Sequence, residues 1–226
     1  MLYLSSPLTA ARCLFDASIV FPEPLRTKIR TPFKTPRVVS SLKILVPELC
    51  REAHEGIMAV PNPAGWYWIP TEVRGVSEGQ LPKRLADIFL SIAAYKQEPV
   101  DANLLRMCGV LTSACVNAFL LPYIFEGEDG DAVRTRFIHD LEHNPMDLTF
   151  IYDGILQGQK FAVETPFETE GSTRRTLAAW RQHNVNVFNG YLCGNGWPVV
   201  RRLAADGYNR AANEIAAAVI YALEER

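Results

Sequence analysis

The sequence predicts an α+β protein with a predominantly helical body, small antiparallel β-hairpins packed on it and an extended basic N-terminal arm. Three observations lead to this prediction. Apolar residues recur at steps of three and four along most of the chain, which is the periodicity of a helix face. Two pairs of apolar or aromatic runs flank short turns that contain proline or glycine, which is typical of hairpins. Prolines alternate with cations over residues 22–36, which favours an extended segment.

The composition is that of a globular protein. The chain has 226 residues, of which 48% are apolar, and a formal net charge of −2. We expect an extended basic arm with a first strand over residues 1–46, followed by a single α+β domain over residues 47–226 around a buried helix at 101–121. The five cysteines are odd in number and lack a C-x-x-C pair, which argues against a disulfide framework and a zinc ribbon. With no basic region before the first apolar residues, we expect no signal peptide and a cytoplasmic location.

The first third of the chain is predicted to contain both helix and strand. The apolar pattern indicates a helix over residues 8–21, followed by an extended segment over 24–37. A strand is predicted over 42–46 and a short helix over 47–54. A β-hairpin is predicted over residues 57–69, because two apolar runs flank a loop that contains two prolines and a glycine.

The centre of the chain is a helix predicted over residues 101–121. Asp101 is placed to cap its N-terminus, and Pro122 is expected to end it because proline lacks an amide donor. No charged residue occurs from Met107 to Phe125, yet two hydroxyl side chains and an asparagine interrupt the apolar run. A helix that is apolar nearly all round is typical of a buried core, so we expect no membrane contact.

The remaining elements are predicted to alternate between helix and strand. They comprise helices over 82–98, 131–143 and 172–183, a hairpin over 150–165, a strand over 185–192 and a last helix from Pro198 that is broken or kinked near Gly207.

The strongest functional indication is a basic segment. Residues 24–45 contain six basic side chains and no acid, so the other residues carry 17 basic against 25 acidic side chains, a net charge of −8. Extended cations can follow a phosphate backbone and release its counterions. We therefore predict a non-enzymatic binding or assembly protein that contacts nucleic acid or a partner chain through Arg26, Lys28, Arg30, Lys34, Arg37 and Lys43. A structural subunit of a homo-oligomer, with this arm swapped onto a neighbour, is an alternative.

A second alternative is an enzyme centred on the predicted hairpin at residues 150–165. Asp153 near its start and Glu164 on the returning strand could together hold Mg²⁺ and activate water for phosphodiester cleavage. This arrangement resembles the PD-(D/E)xK nuclease core, which implies a divergent metal-dependent nuclease. The chain departs from that core because Pro166 occupies the position of the expected lysine and Lys160 precedes the glutamate.

His139 and His143 are four residues apart and share one face of a predicted helix. A helical wheel places them opposite the apolar face, and no third ligand is evident nearby in the sequence. We therefore expect a solvated helix face, with no metal, no cofactor and no catalytic residue.

Overall fold

The computed structural model describes residues 7–31, 51–59, 81–96, 99–120, 130–151, 165–191 and 196–223. Within these ranges the chain forms helices α1 (Pro7–Ala17), α2 (Glu23–Arg30), α3 (Arg51–Ala59), α4 (Leu81–Ala93), α5 (Ala102–Phe119), α6 (Gly130–His143), α7 (Glu170–Gly190) and α8 (Trp197–Leu223). Short 3-10 turns occur at Ser18–Val20, Pro145–Asp147 and Pro166–Glu168. No strand occurs in the described residues, so the predicted α+β class is wrong and the described fold is helical.

Helix α5 lies at the centre of the molecule, as the sequence predicted. Asp101 is its N-cap, and the carboxylate accepts the backbone N–H of Leu104 at 2.8 Å. Every residue from Leu111 to Phe119 is buried, because α1, α3, α4 and α8 all pack against this helix. Over the described ranges, no helix combines the length and the apolarity that a bilayer span requires.

Two glycines bring α3 and α5 into backbone contact. A Cβ atom on Gly109 would lie 2.1 Å from the carbonyl oxygen of Ala53, and one on Gly56 would lie 2.0 Å from that of Arg106. Both distances are much shorter than the contacts that Cβ atoms make in proteins. The opposing atoms belong to the backbone and cannot rotate away. The two helices can therefore cross at this distance only because each contributes a residue without a side chain.

The first correction concerns the basic arm, since residues 23–30 form helix α2 where an extended segment was predicted. Pro22 precedes the helix and Pro24 lies in its first turn, where a missing backbone N–H costs no hydrogen bond. Leu25 and Ile29 are four residues apart, and both side chains are fully buried against the body. These prolines therefore begin a helix that tertiary packing stabilises.

The second correction concerns the predicted β-segments. Residues 57–59 belong to α3, and residues 185–190 continue α7 to Gly190. Phe150 and Ile151 have no regular secondary structure. Residues 42–46, 60–69 and 152–164 lie outside the described residues. Short apolar runs with β-branched or aromatic residues are compatible with both helix and strand, so the local pattern did not distinguish the two.

The third correction concerns α8, which runs without a break from Trp197 to Leu223. A Cβ atom on Gly207 would lie 2.5 Å from the carbonyl oxygen of Phe119 at the end of α5. The glycine that suggested a kink therefore provides close packing between α8 and α5.

Candidate nucleic-acid interface

Helix α2 carries three of the six cations that the sequence singled out. Arg26 and Lys28 are exposed, whereas Arg30 is partly buried. Lys34, Arg37 and Lys43 lie outside the described residues. The described part of the basic segment therefore divides into two solvent-facing cations and one that faces the body.

Arg30 fastens α2 to α1. Its guanidinium lies over the ring of Phe15, with 3.9 Å between the guanidinium carbon and the ring centroid, and donates to the Phe15 carbonyl oxygen at 2.7 Å. A longer contact of 3.4 Å reaches the hydroxyl oxygen of Ser18. Burial lowers the pKa of Arg30, and the nearby carboxylate of Asp16 acts in the opposite direction. This cation is engaged within its own chain, and its role as a nucleic-acid contact stays a prediction.

Among the residues that the structure describes, the contacts of Arg26 and Lys28 are exposed. Arg26 pairs with Glu23 one turn earlier, and Glu23 also accepts a hydrogen bond from the hydroxyl of Thr27. The hydrogen bonds from Thr27 and Arg26 lower the pKa of Glu23. Lys28 donates to the backbone carbonyl of Val100. Because an exposed ion pair and an exposed hydrogen bond are both weak, a phosphate group can compete for both cations.

The Arg12 cluster, which consists of Arg12, Asp16 and Tyr208, joins α1 to α8. The Arg12 guanidinium donates to the carbonyl oxygens of Pro145 and Leu148, the second at 2.8 Å. Its Nε atom lies 3.7 Å from a carboxylate oxygen of Asp16, and that same oxygen accepts the hydroxyl of Tyr208 at 2.6 Å. One arginine therefore links α1, the 145–148 turn and the carboxylate that binds α8.

The electrostatics of the Arg12 cluster indicate a structural role. Burial raises the pKa of Asp16, while the hydrogen bond from Tyr208 and the charge of Arg12 lower it. Burial and the neighbouring Asp16 carboxylate raise the pKa of Tyr208 well above its usual value. The groups bind one another and backbone carbonyls, an arrangement that holds elements together. This cluster was not predicted from the sequence, although a single arginine among the small and apolar neighbours in α1 was a signal for it.

A second cluster, formed by Arg136, Asp140 and Tyr191, holds α6 against the end of α7. Arg136 donates to the backbone carbonyl of Tyr191 at 3.0 Å and to its hydroxyl oxygen at 3.2 Å. The Tyr191 hydroxyl donates to Asp140 at 2.7 Å. Burial and the hydrogen bond to Asp140 raise the pKa of Tyr191 to about 12. The phenol is therefore a neutral hydrogen-bond donor that fixes the orientation of the Asp140 carboxylate.

The other predicted sites divide between described and undescribed residues. His139 and His143 lie on the exposed face of α6, as the helical wheel predicted. Asp153 and Glu164, the carboxylates of the nuclease alternative, lie outside the described residues. Among the residues that the structure describes, no three His, Cys, Asp or Glu side chains are grouped so that they could hold a metal ion.

Comparison of the chain with protein-family models, with curated proteins and with solved structures returned no match.

Proposed function

We propose that the chain is a non-enzymatic binding or assembly protein that contacts nucleic acid through its basic segment. The observation that carries this proposal is the separation of charge along the chain. Residues 24–45 have six cations and no acid, whereas the rest of the chain has a net charge of −8. An acidic body repels a polyanion, so a polyanion has one favourable place to bind.

The packing of α2 supports this proposal because it attaches the N-terminal part of the basic segment to the body of the same chain. Leu25 and Ile29 are buried, and Arg30 is bonded to α1, so this helix is attached to the body of its own chain. Arg26 and Lys28 remain on its exposed surface. We therefore count five cations as phosphate contacts: Arg26, Lys28, Lys34, Arg37 and Lys43.

The exposed face of α2 favours binding to phosphates over recognition of base edges. Its cations provide charge, and the hydroxyl of Thr27 is bonded to Glu23 within the same helix. Contacts to phosphates position a protein on a duplex without reading its sequence. We expect affinity that depends strongly on salt and weakly on base composition.

Salt-dependent binding to labelled duplex DNA tests the proposal. Five phosphate contacts at roughly 0.9 each predict a slope of about −4.5 in a plot of log affinity against log salt concentration. Replacing Lys34, Arg37 and Lys43 by Ala leaves two contacts and reduces the slope to about −1.8. The matched control replaces Lys83, Arg201 and Arg202, three exposed cations outside the segment, and should retain the wild-type slope.

Three outcomes would contradict the proposal. Equal losses of slope in the two triple variants would show that general charge, and not the segment, determines binding. Loss of assembly in the segment variant, with no DNA binding by either protein, would favour a partner chain or a swapped subunit. Magnesium-dependent cleavage of DNA that Asp153→Ala removes would favour the nuclease.

A further inference from the structure

His139 and His143 form a stacked pair on the exposed face of α6. Their ring centroids are 3.9 Å apart, and the ring planes are inclined by 22°. The side chain of His139 is 64% exposed, so the pair is open to solvent. The pair therefore places two imidazole rings side by side on the surface of α6.

The hydrogen bond of His143 defines which of its nitrogens can bind a metal. Its Nδ1 atom lies 2.7 Å from the backbone carbonyl oxygen of His139. A carbonyl oxygen only accepts, so Nδ1 carries the proton. In the neutral ring the lone pair is then on Nε2, which is the form that binds transition metals.

The carboxylate of Asp140 lies next to His139. The Nδ1 atom of His139 lies 3.6 Å from one carboxylate oxygen of Asp140, and the hydroxyl of Tyr191 binds the other oxygen at 2.7 Å. The carboxylate is therefore held in place near Nδ1 of His139, at a distance longer than a hydrogen bond. A carbonyl oxygen that accepts from the ring, as at His143, is a usual outer-shell partner of a metal ligand because it orients the ring.

We propose that His139 and His143 form a two-nitrogen binding site for a divalent transition-metal ion, with water completing its coordination. Two histidines at positions i and i+4 on one helix face are able to bind one metal ion. Because the two rings are stacked, their in-plane lone pairs lie side by side, and metal binding requires these exposed rings to rotate until both Nε2 atoms face the ion. Cu²⁺ binds such imidazole ligands more tightly than Ni²⁺ or Zn²⁺. In the described part of the chain no third protein ligand closes the site, so the ion keeps exchangeable positions.

Titration of the full-length, tag-free protein with CuCl₂ tests this site. Calorimetry should give one tightly bound ion per chain, and electron paramagnetic resonance of the complex should show two coordinated nitrogens. Either His139→Gln or His143→Gln should weaken binding by about tenfold or more, because each removes one arm of a chelate. Both positions are exposed, so these variants should melt like the wild type in the absence of metal.

The matched control is the double variant His54→Gln/His183→Gln, which removes the other two histidines of the chain and keeps the pair. Its affinity for Cu²⁺ should equal that of the wild type. The proposal is overturned if the control loses the bound ion, or if neither single variant of the pair weakens binding. A resonance spectrum with a single coordinated nitrogen would also overturn it.

Discussion

The α3–α5 contact and the α1–α8 contact hold the same core together in different ways. In the first, Gly56 and Gly109 allow the backbones of two helices to touch. In the second, Arg12, Asp16 and Tyr208 connect the helices through ion pairing and hydrogen bonds. The α3–α5 contact leaves no room for a side chain at the two glycines, whereas the α1–α8 contact is made by polar side chains.

This difference determines what each contact tolerates. Repulsion between atoms rises steeply with overlap, so the backbone contact should respond to one added methyl group and be indifferent to pH. The polar contact should tolerate small changes of volume, but it should respond to the loss of a donor and to protonation. Three experiments separate these two behaviours.

The largest effect is expected for Gly109→Ala, which should reduce the free energy of unfolding by about 3 kcal/mol. The new Cβ would overlap the Ala53 carbonyl oxygen, and neither backbone can move without separating α3 from α5. This loss opposes the gain of about 1 kcal/mol that Ala brings to an exposed helix. Urea unfolding measures the difference.

Gly171→Ala is the matched control, because its Cβ would meet the side chains of Arg175 and Thr169 at ordinary distances of 3.7 and 4.0 Å. Its stability should equal or exceed that of the wild type. The double variant Gly56→Ala/Gly109→Ala should lose less than the sum of the single losses, since one separation of the helices relieves both overlaps. Equal stability of Gly109→Ala and Gly171→Ala would refute the close contact.

An intermediate effect is expected for Arg12→Met, which keeps an unbranched apolar side chain and removes the guanidinium. The carbonyl oxygens of Pro145 and Leu148 lose their donor, and Asp16 loses its counter-charge. Leaving such partly buried groups without partners should cost about 2 kcal/mol. Arg201→Met removes an exposed cation from α8 and should change stability little, so similar losses in the two variants would contradict the proposed linking role.

The smallest effect is the pH dependence of the free energy of unfolding, which two buried carboxyl groups on α1 and α8 produce. Burial raises the pKa of Asp16 above 3.8, and burial raises that of Glu214 on α8 above 4.5 despite its pairing with Arg210. The folded state therefore binds these protons more tightly than the unfolded chain does. The stability that the two groups contribute is complete below their ordinary pKa values and is lost as pH rises through their folded pKa values.

Asp16→Asn keeps an oxygen that can accept from Tyr208 but cannot ionise. Its free energy of unfolding should therefore improve relative to wild type as pH rises from about 4, by no more than about 1.4 kcal/mol per pH unit. Urea unfolding at a series of pH values measures this trend. A difference between the two proteins that does not change with pH would show that Asp16 titrates normally.

The sequence predicted the helices whose apolar positions form one continuous face. Helix α5 is capped by Asp101 and is buried as expected, and α6 exposes His139 and His143 as the wheel indicated. The predicted β-segments that fall on described residues were wrong, because a short apolar run does not distinguish strand from helix. Of the predicted interface, Arg26 and Lys28 are exposed, whereas the engagement of Arg30 with Phe15 depends on how α2 packs on α1.

By itself the sequence determined the charge-free central helix, its aspartate cap and the separation of basic and acidic regions. Each of these follows from residue type and local spacing. Only the tertiary structure decided that α2 is helical, that Gly109 faces a carbonyl oxygen and that Arg12 bonds to residues more than 130 positions away. Such contacts depend on how helices distant in sequence approach one another. Local periodicity describes the face that a helix will bury, but not the atoms that it will meet.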